Sequence, residues 1–286
     1  MSSPVARSDD EKRVLASLVA NISYEVMPFK SVRAKVLAAV PHEVPLTVTA
    51  TGKQGLEPTI ETSIFLREKG YTVAPHVPAR MVSGPDELDA VVSRLEAAQV
   101  DRIFIVGGDV EEPAGTFTDA LSLLRSLRER GHHFKDVGVG GYPEGHAKFS
   151  QSDIERVLDD KAEYADRILT QICFDPDTIT AWASGLRDRG VDLPVYVGMP
   201  GAVSRQKLMR ISAGLGLGQS ASFLKKQQNM FWKMFSPSGY NPSKLVRGLV
   251  RNLAQSESTV TGFHIFTFND LANTEAWRRD LISQSK

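Results

Sequence analysis

The sequence predicts an α/β protein built as a single (βα)8 TIM barrel with extra helices, and three observations support this fold class. Apolar segments of strand length alternate with segments of helical periodicity along the chain. The 286 residues, 42% of them hydrophobic, suit a barrel that typically needs about 250 residues. Polar residues also follow several strand segments, as they do where barrel strands end at a site. Residues 1–286 are therefore assigned to one domain, with 1–11 expected to be flexible.

The predicted elements follow in chain order. Acidic residues at 9–11 favour the start of a helix over 13–19, which would close the barrel floor. Helices are also predicted over 31–39 and 58–69, and from near Pro85, Thr116, Ser152, Asp177 and Ser204. Strands are predicted at 22–27, 46–50, 72–75, 102–106, 136–139, 167–170, 194–197 and 262–266. Eight such units favour a closed barrel over an open doubly wound sheet.

The bulk composition narrows the class of partner. Lys and Arg together number 34, as do Asp and Glu, so no net positive charge attracts nucleic acid or an anionic membrane. The sequence predicts a small-molecule partner and a monomer or small homo-oligomer. The N-terminus has no apolar signal segment and no run reaches the length of a membrane span, so a cytoplasmic protein is expected. Cys173 lies in an apolar segment and is expected to be a buried, inert thiol.

Two nucleotide-binding motifs are missing from the sequence. No GxGxxG opens a helix after the first strand and no lysine-bearing phosphate loop is present, which argues against a Rossmann or nucleoside-triphosphatase core. The glycine-rich residues 214–218 follow a predicted helix and are interpreted as its terminator rather than as a phosphate cradle. The aromatic and basic residues 222–235 predict a helix on the outer ring, with a cover over a cofactor as the alternative.

Glu25 and Asp109 are the candidate catalytic acids. Glu25 lies near the carboxyl end of the first strand, so its carboxyl is expected at the barrel mouth, partly desolvated and therefore easily protonated. That environment suits a general acid, and the alternative is a salt-bridged structural glutamate. Asp109 follows Gly107 and Gly108, where a ligand could approach the backbone while the carboxylate stabilises a cation. The alternative for Asp109 is a turn or helix-cap residue.

Further polar side chains follow the third, fifth and sixth strands. The amide of Gln171 offers a donor and an acceptor to the edge of a heterocycle, or satisfies a rim hydrogen bond. His76 and His146 stand where barrel metal ligands often lie, but neither has a second histidine three or four residues away. No metal is therefore predicted. His132 and His133 follow a helix and are expected in a solvent-facing loop.

These residues, taken in chain order, resemble the methylenetetrahydrofolate reductase family, and the likeness covers nearly the whole chain. The matching positions are Ser23-Tyr24-Glu25, Thr47-Val48-Thr49, Pro75-His76, Gly108-Asp109, Tyr142-Pro143-Glu144 with His146, Thr170-Gln171 with Phe174-Asp175, Gly198-Met199-Pro200, Gln206, and Phe263-His264 through Thr267-Phe268-Asn269.

The resemblance implies a (βα)8 fold and the reduction of 5,10-methylenetetrahydrofolate to 5-methyltetrahydrofolate in one-carbon metabolism. It makes Glu25 the proton donor and Asp109 the group that stabilises the N5 iminium cation. Asp109 and Gln171 would hold the pterin, Gln206 would add a folate contact, and Tyr142 is assigned to the substrate site.

The chain departs from the family pattern where FAD phosphates would bind. The family has an arginine before the Gly-Asp pair and an Asn/Arg/Lys set on the helix after the fifth strand. Here these positions are Gly107, Arg156, Asp159 and Asp160, and two carboxylates would repel a pyrophosphate. The positions matching flavin contacts are better kept, namely Thr49, His76, Tyr142, His146 and Asp153.

The sequence therefore predicts a variant without FAD, similar to divergent members of the family that use NADH directly. NADH would occupy the space near Thr49, His76 and His146, and its pyrophosphate would be held by Arg156 or Lys161. The arginine expected after Asn269 for the folate glutamate tail is Asp270, so other basic residues must serve there.

Three alternatives stay open. A conventional FAD-containing reductase would catalyse the same reaction. A metal-dependent barrel lyase or aldolase would use Glu25, Asp109, His76 and His146. A non-catalytic barrel would bind folate without oxidising NADH.

Overall fold

A computed structural model describes residues 4–52, 54–146, 149–202 and 242–286 and shows a closed barrel of eight parallel strands. Each strand pairs with the next in the chain, and β1 pairs with β8 to close the ring. The predicted (βα)8 fold is confirmed. The strands are β1 (Ser23–Val26), β2 (Leu46–Val48), β3 (Val73–Pro78), β4 (Arg102–Val106), β5 (Asp136–Gly141), β6 (Arg167–Thr170), β7 (Val195–Pro200) and β8 (Val260–Phe266).

Helices lie between the strands and cover the outside of the barrel. The helices of the described ranges are α1 (Asp9–Ala20), α2 (Val32–Ala39), α3 (Glu57–Glu68), α4 (Pro85–Ala97), α5 (Ala120–Arg130), α6 (Gln151–Ala162), α7 (Pro176–Asp188), α8 (Ser243–Leu253) and α9 (Leu271–Gln284), with a 3₁₀ turn at Ala79–Met81. In this part of the chain, no helix combines the length and apolarity that crossing a bilayer requires.

Strand residues are buried on both faces because the barrel interior covers one side and the helices cover the other. Every residue of β3 and of β6 is buried. These strands therefore do not show the alternation of apolar and polar residues that is typical of a strand with one solvent-facing side. Alternate residues still point to opposite sides. In β4, Ile103 and Ile105 belong to the hydrophobic core, while the ring of Phe104 between them contacts that of His76 at a tilt of 55°.

The start of α5 differs from the prediction for a local reason. The helix begins at Ala120 rather than near Thr116, because Asp119 accepts a hydrogen bond from the backbone N–H of Ser122. The Ser122 side chain in turn accepts from the Asp119 backbone N–H, and together these two bonds form a capping box. Such reciprocal caps satisfy donors that the first helical turn leaves without partners.

Three strands run further than the sequence pattern indicates, to Pro78, Gly141 and Pro200. The extensions contain proline and glycine, which usually end strands, but each extension pairs with the next strand of the barrel, which holds its backbone extended. His76 therefore lies within β3 and not after it.

The N-terminal region is more ordered than expected. Residues 9–11 form the first turn of α1, whereas the sequence predicts flexibility up to residue 11. Val5 and Ala6 are buried, and the backbone N–H of Val5 donates to Oε1 of Gln284 at 2.8 Å. The described N-terminal residues are thus packed against the last helix. The predicted elements at Ser204, 214–218 and 222–235 lie outside the described residues.

Candidate active site

Three polar side chains from β1, β3 and β8 converge inside the barrel. Oε2 of Glu25 lies 3.7 Å from Nε2 of His76 and 3.8 Å from Nε2 of His264. The side chains of His76 and His264 are only 8% and 1% exposed, whereas that of Glu25 is 14% exposed. Barrel closure produces this arrangement, since Glu25 stands beside Phe266 of β8 in the strand register. We call these three residues the Glu-His-His cluster.

A hydrogen-bond chain behind His264 sets its protonation pattern. The hydroxyl of Ser23 donates to the carbonyl of Phe263 at 3.5 Å and lies 2.9 Å from Nδ1 of His264. When the hydroxyl proton of Ser23 goes to this carbonyl, Nδ1 of His264 is the donor to Ser23 and the lone pair of Nε2 faces Glu25. Nε2 of His264, Nε2 of His76 and Oγ1 of Thr47 are buried without a hydrogen-bond partner among the described residues. Such atoms indicate a place where a ligand binds.

Burial shifts the pKa of every member of the cluster toward the neutral form. It raises the pKa of Glu25 above its ordinary value, against an opposing effect of His76. Burial lowers the pKa of His76 to about 4, opposed by Glu25 and reinforced by His264 and Arg167. Burial, together with Arg167, lowers the pKa of His264 to about 3. The imidazoles are thus uncharged at neutral pH and form no ion pair with Glu25, which favours a protonated carboxyl.

Asp109 lies at the exposed rim beyond β4. The pKa of Tyr142 is raised, first by burial and then by the negative charge of Asp109, which brings these two predicted residues to one side of the mouth. The backbone at Gly108 needs glycine, because its φ is +94° and an added Cβ would stand 3.0 Å from Cβ of Pro78. That turn directs Asp109 toward the rim residues.

Gln171 and Thr49 lie at other points of the same rim. The backbone N–H of Gln171 donates to the carbonyl of Gly141, which aligns the end of β6 with β5. Its side-chain Oε1 accepts from the backbone N–H of Ile172 at 2.8 Å, and the residue is exposed. Thr49 is half-buried beyond β2, and its N–H donates to the carbonyl of Val26.

An aromatic ledge borders the site beyond β5. The rings of Tyr142 and His146 meet edge to face with centroids 5.0 Å apart, and His146 stacks on Phe149 at 4.9 Å. Phe149 is 61% exposed although it is a large apolar side chain. An exposed aromatic face of this kind is a surface on which flat heterocycles stack favourably.

The two basic residues predicted to hold a pyrophosphate occupy different environments. Arg156 is exposed on α6 and lies 3.5 Å from Oδ1 of Asp153. Lys161 is buried, and its Nζ donates to the carbonyl of Gly140 at 3.0 Å. The structure therefore brings Arg156 to the surface of α6 but does not bring the Lys161 ammonium to the exposed rim.

We expect burial of Lys161 to alter how stability depends on pH. Burial lowers its pKa to about 8, whereas Lys in the unfolded chain titrates near 10.5. Between these values the unfolded state binds more protons, so the free energy of unfolding rises with pH, by about 3 kcal/mol. Lys161→Met should lack this rise, and urea unfolding at pH 7.5 and 10 would measure it.

Lys135→Met is the matched control, because Lys135 is exposed and should show the wild-type pH dependence. A Lys161→Met protein with the same pH dependence as the wild type would contradict the buried ammonium.

Sequence reasoning placed Glu25 and His76 in the site but gave no role to His264, Ser23 or Phe149. His264 had a detectable signal, because it lies two residues before Phe266 on the last strand and shares its face. The sequence could not show that this face meets Glu25 until the ring was closed. Gln206 lies outside the described residues.

A closed parallel barrel in which an acid and two imidazoles converge defines the class of α/β-barrel proteins that carry a polar site inside the barrel. Within that class, the chain belongs to the methylenetetrahydrofolate reductase family, whose model matches residues 21–276.

Curated relatives support the family over shorter stretches. Methylenetetrahydrofolate reductase 1 of Schizosaccharomyces pombe is 30% identical over 123 residues, which are 39% of this chain and 20% of the relative. Methylenetetrahydrofolate reductase 2 of Saccharomyces cerevisiae is 32% identical over 90 residues, which are 30% of this chain and 15% of the relative. The matches thus span a fifth or less of these longer proteins.

Solved structures with this fold include two of oxaloacetate acetylhydrolase. The complex with 3,3-difluorooxalacetate has a TM-score of 0.52 at 12% identity and covers 98% of this chain and 86% of that one. A second structure gives 0.53 at 13% identity, with 97% and 86% covered. At these identities the likeness concerns the fold alone.

Proposed function

We propose that this protein reduces 5,10-methylenetetrahydrofolate to 5-methyltetrahydrofolate with NADH, by direct hydride transfer and without FAD. The observation that carries the proposal is the buried carboxyl of Glu25 between two uncharged imidazoles, in a chain of the methylenetetrahydrofolate reductase family. Reduction of this substrate needs a proton as well as a hydride, and Glu25 is the acid placed to give it.

In the proposed reaction Glu25 donates its proton to N10 of the substrate. The bond between N10 and the methylene carbon breaks, N10 becomes an amine, and N5 and the methylene carbon form a cationic iminium. The hydride from NADH adds to that carbon and gives the N5-methyl group and NAD⁺. Glu25 then recovers a proton from water. One proton and one hydride are consumed per turnover.

Asp109 is proposed to stabilise the iminium cation and, with Gln171, to hold the pterin. Its carboxylate lies at the rim on the side of Tyr142, so its negative charge is fixed before the cation forms. Gln171 and Gln206 complete the proposed pterin contacts, and Tyr142 is assigned to the same proposed substrate site.

The residues described on α6 do not fit the pyrophosphate of FAD. Lys161 donates to a backbone carbonyl, and the carboxylate of Asp160 is exposed. Asp159 repels an anion less than its charge suggests, because Arg189 bonds both of its oxygens at 3.1 and 3.0 Å. NADH is proposed to lie over the aromatic ledge near Thr49, His76 and His146, with exposed Arg156 turning to its phosphates.

Isotope transfer tests both the reaction and the absence of a flavin. Protein purified without added cofactor would be denatured and examined for released FAD. A second, native portion of the same preparation would be given methylenetetrahydrofolate and NADH deuterated at the transferred position. Direct transfer places one deuterium in the product methyl group. A route through a flavin nitrogen would lose the label, because N–H hydrogens exchange with water.

Unlabelled product together with released FAD would refute direct hydride transfer but would still support the reduction of methylenetetrahydrofolate. No NADH oxidation at all would sink the proposed function.

We expect Asp109→Asn to weaken both turnover and folate binding. The amide keeps the shape but removes the charge, and at the rim this should lower kcat/KM about 10- to 100-fold. Steady-state kinetics and a folate-binding titration would measure the loss. Glu112→Gln is the control, since it removes an exposed carboxylate from the same loop. Equal kinetics for the two variants would refute the role of Asp109.

A further inference from the structure

We propose that the Glu-His-His cluster is also a binding site for one divalent transition-metal ion such as Zn²⁺, which inhibits the enzyme by displacing the proton from Glu25. The sequence predicts no metal, because its histidines lack helical metal-ligand spacing. Folding brings His76 of β3 and His264 of β8 together, although they lie 188 residues apart in the sequence.

The geometry of the cluster is close to that of a bound ion. One ligand atom from each of Glu25, His76 and His264 lies within 4.8 Å of the other two. Ligands about 2.1 Å from a tetrahedral ion are separated by about 3.4 Å. The separations of Glu25 Oε2 from the two Nε2 atoms, 3.7 and 3.8 Å, need only a small contraction.

The Nε2 atoms of both histidines already face the carboxyl of Glu25. Ser23 holds Nδ1 of His264, so Nε2 presents its lone pair in the manner of a metal ligand whose second nitrogen is bonded to an outer group. Nε2 of His76 and of His264 have no hydrogen-bond partner within the described ranges, and both side chains are more than nine-tenths buried. Ion binding would satisfy both atoms at once.

The donor set selects the kind of ion. Two imidazole nitrogens and one carboxylate oxygen suit Zn²⁺, Co²⁺ or Fe²⁺, whereas Mg²⁺ and Ca²⁺ prefer oxygen ligands alone. The partial exposure of Glu25 leaves the side facing the barrel mouth open for water as a further ligand.

No comparable group exists elsewhere in the part of the chain that is described. The residues outside it, at 1–3, 53, 147–148 and 203–241, contain no His, Cys, Asp or Glu. They therefore cannot add a ligand of these types, and one strong site per chain is expected.

The inhibitory part of the inference rests on the proposed function. A carboxylate that binds an ion cannot donate a proton to N10, so the enzyme cannot turn over its substrate while the ion is bound. The binding part rests only on the cluster and can be measured without folate or NADH.

Metal titration of the whole chain tests the site. Protein stripped with EDTA and desalted would be titrated with Zn²⁺ by calorimetry and with Co²⁺ by visible absorption at pH 7.5. We expect one equivalent of either ion to bind, and the Co²⁺ spectrum to show nitrogen and oxygen ligation. Glu25→Gln and His76→Gln should each weaken binding at least about 100-fold, and Ser23→Ala about 10-fold.

His133→Gln is the control, because His133 and Glu96 form an exposed pair 3.4 Å apart that could hold a surface ion. It should leave both the stoichiometric binding and the basal activity unchanged. Thermal unfolding would verify that each variant is folded. If only one of Glu25→Gln and His76→Gln folds, that variant alone tests the site. Binding that survives both substitutions, or that is lost in His133→Gln, overturns the site.

Activity measurements separate this inference from the proposed function. Zn²⁺ should inhibit NADH oxidation at the concentrations that fill the site, and excess chelator should restore the rate. Stoichiometric Zn²⁺ binding by a protein without NADH oxidation would refute the proposed function alone. Turnover unaffected by a filled site would refute the inhibition.

Discussion

Glu25→Gln should reduce kcat for NADH oxidation by about 10²- to 10⁴-fold while the dissociation constant for methylenetetrahydrofolate changes little. The amide occupies the same volume between His76 and His264, but it has no acidic proton to give to N10. A loss of this size is what general acid catalysis contributes. Single-turnover rates, together with a separate folate titration, would distinguish chemistry from binding.

The pH dependence provides an independent readout of the same residue. Only the protonated carboxyl donates, so kcat/KM should fall as pH rises through the pKa of Glu25. Burial raises that pKa, which moves the fall above the pH of an ordinary glutamate. Glu25→Gln should abolish this fall of kcat/KM with rising pH. Turnover near the wild-type value in the variant would remove Glu25 from the mechanism.

Gly198→Ala should destabilise the barrel by about 3 kcal/mol, the second large effect we expect. A Cβ at Gly198 would lie 2.2 Å from the carbonyl oxygen of Thr170 and 2.8 Å from that of Gln171. These are backbone atoms and cannot rotate away. The hydroxyl of Thr170 accepts from the Gly198 N–H at 2.8 Å, so strands β6 and β7 are in close contact here. Urea unfolding would measure the change.

Gly185→Ala provides the matched control for this substitution. Gly185 lies within α7, and its Cβ would meet only Nη1 of Arg189, at an ordinary 3.6 Å. Alanine in a helix interior is favoured over glycine by about 1 kcal/mol, so the control should gain stability. If both variants unfold at the same urea concentration, the close approach of β7 to Gln171 is not as described.

Much of the fold could be predicted from the sequence because each βα unit has its own periodicity. The strand bounds at 102–106 and 167–170 agree with the structure, whereas β3 and β5 run further. The differences occur where proline or glycine ends an apolar run, since a local pattern contains no information on the neighbouring strands that support it.

The site could be predicted only in part, for the same reason. Glu25 and Asp109 follow glycine or apolar residues in a recognisable local pattern, and both lie at the carboxyl end of the barrel. The pairing of His264 with Ser23 and Glu25 depends on contact between residues about 240 apart, which only closure of the ring creates. The burial that makes both histidines uncharged is likewise a property of the assembled barrel.

One carboxylate links two neighbouring loops at the mouth of the barrel. Oε1 of Glu144, after β5, accepts from the backbone N–H groups of Phe174 and Asp175, after β6, at 2.6 and 2.8 Å. If one of these loops moved away alone, both charge-assisted hydrogen bonds to the Glu144 carboxylate would break together. The segment bearing Tyr142 and the segment following Gln171 are therefore held together as one unit.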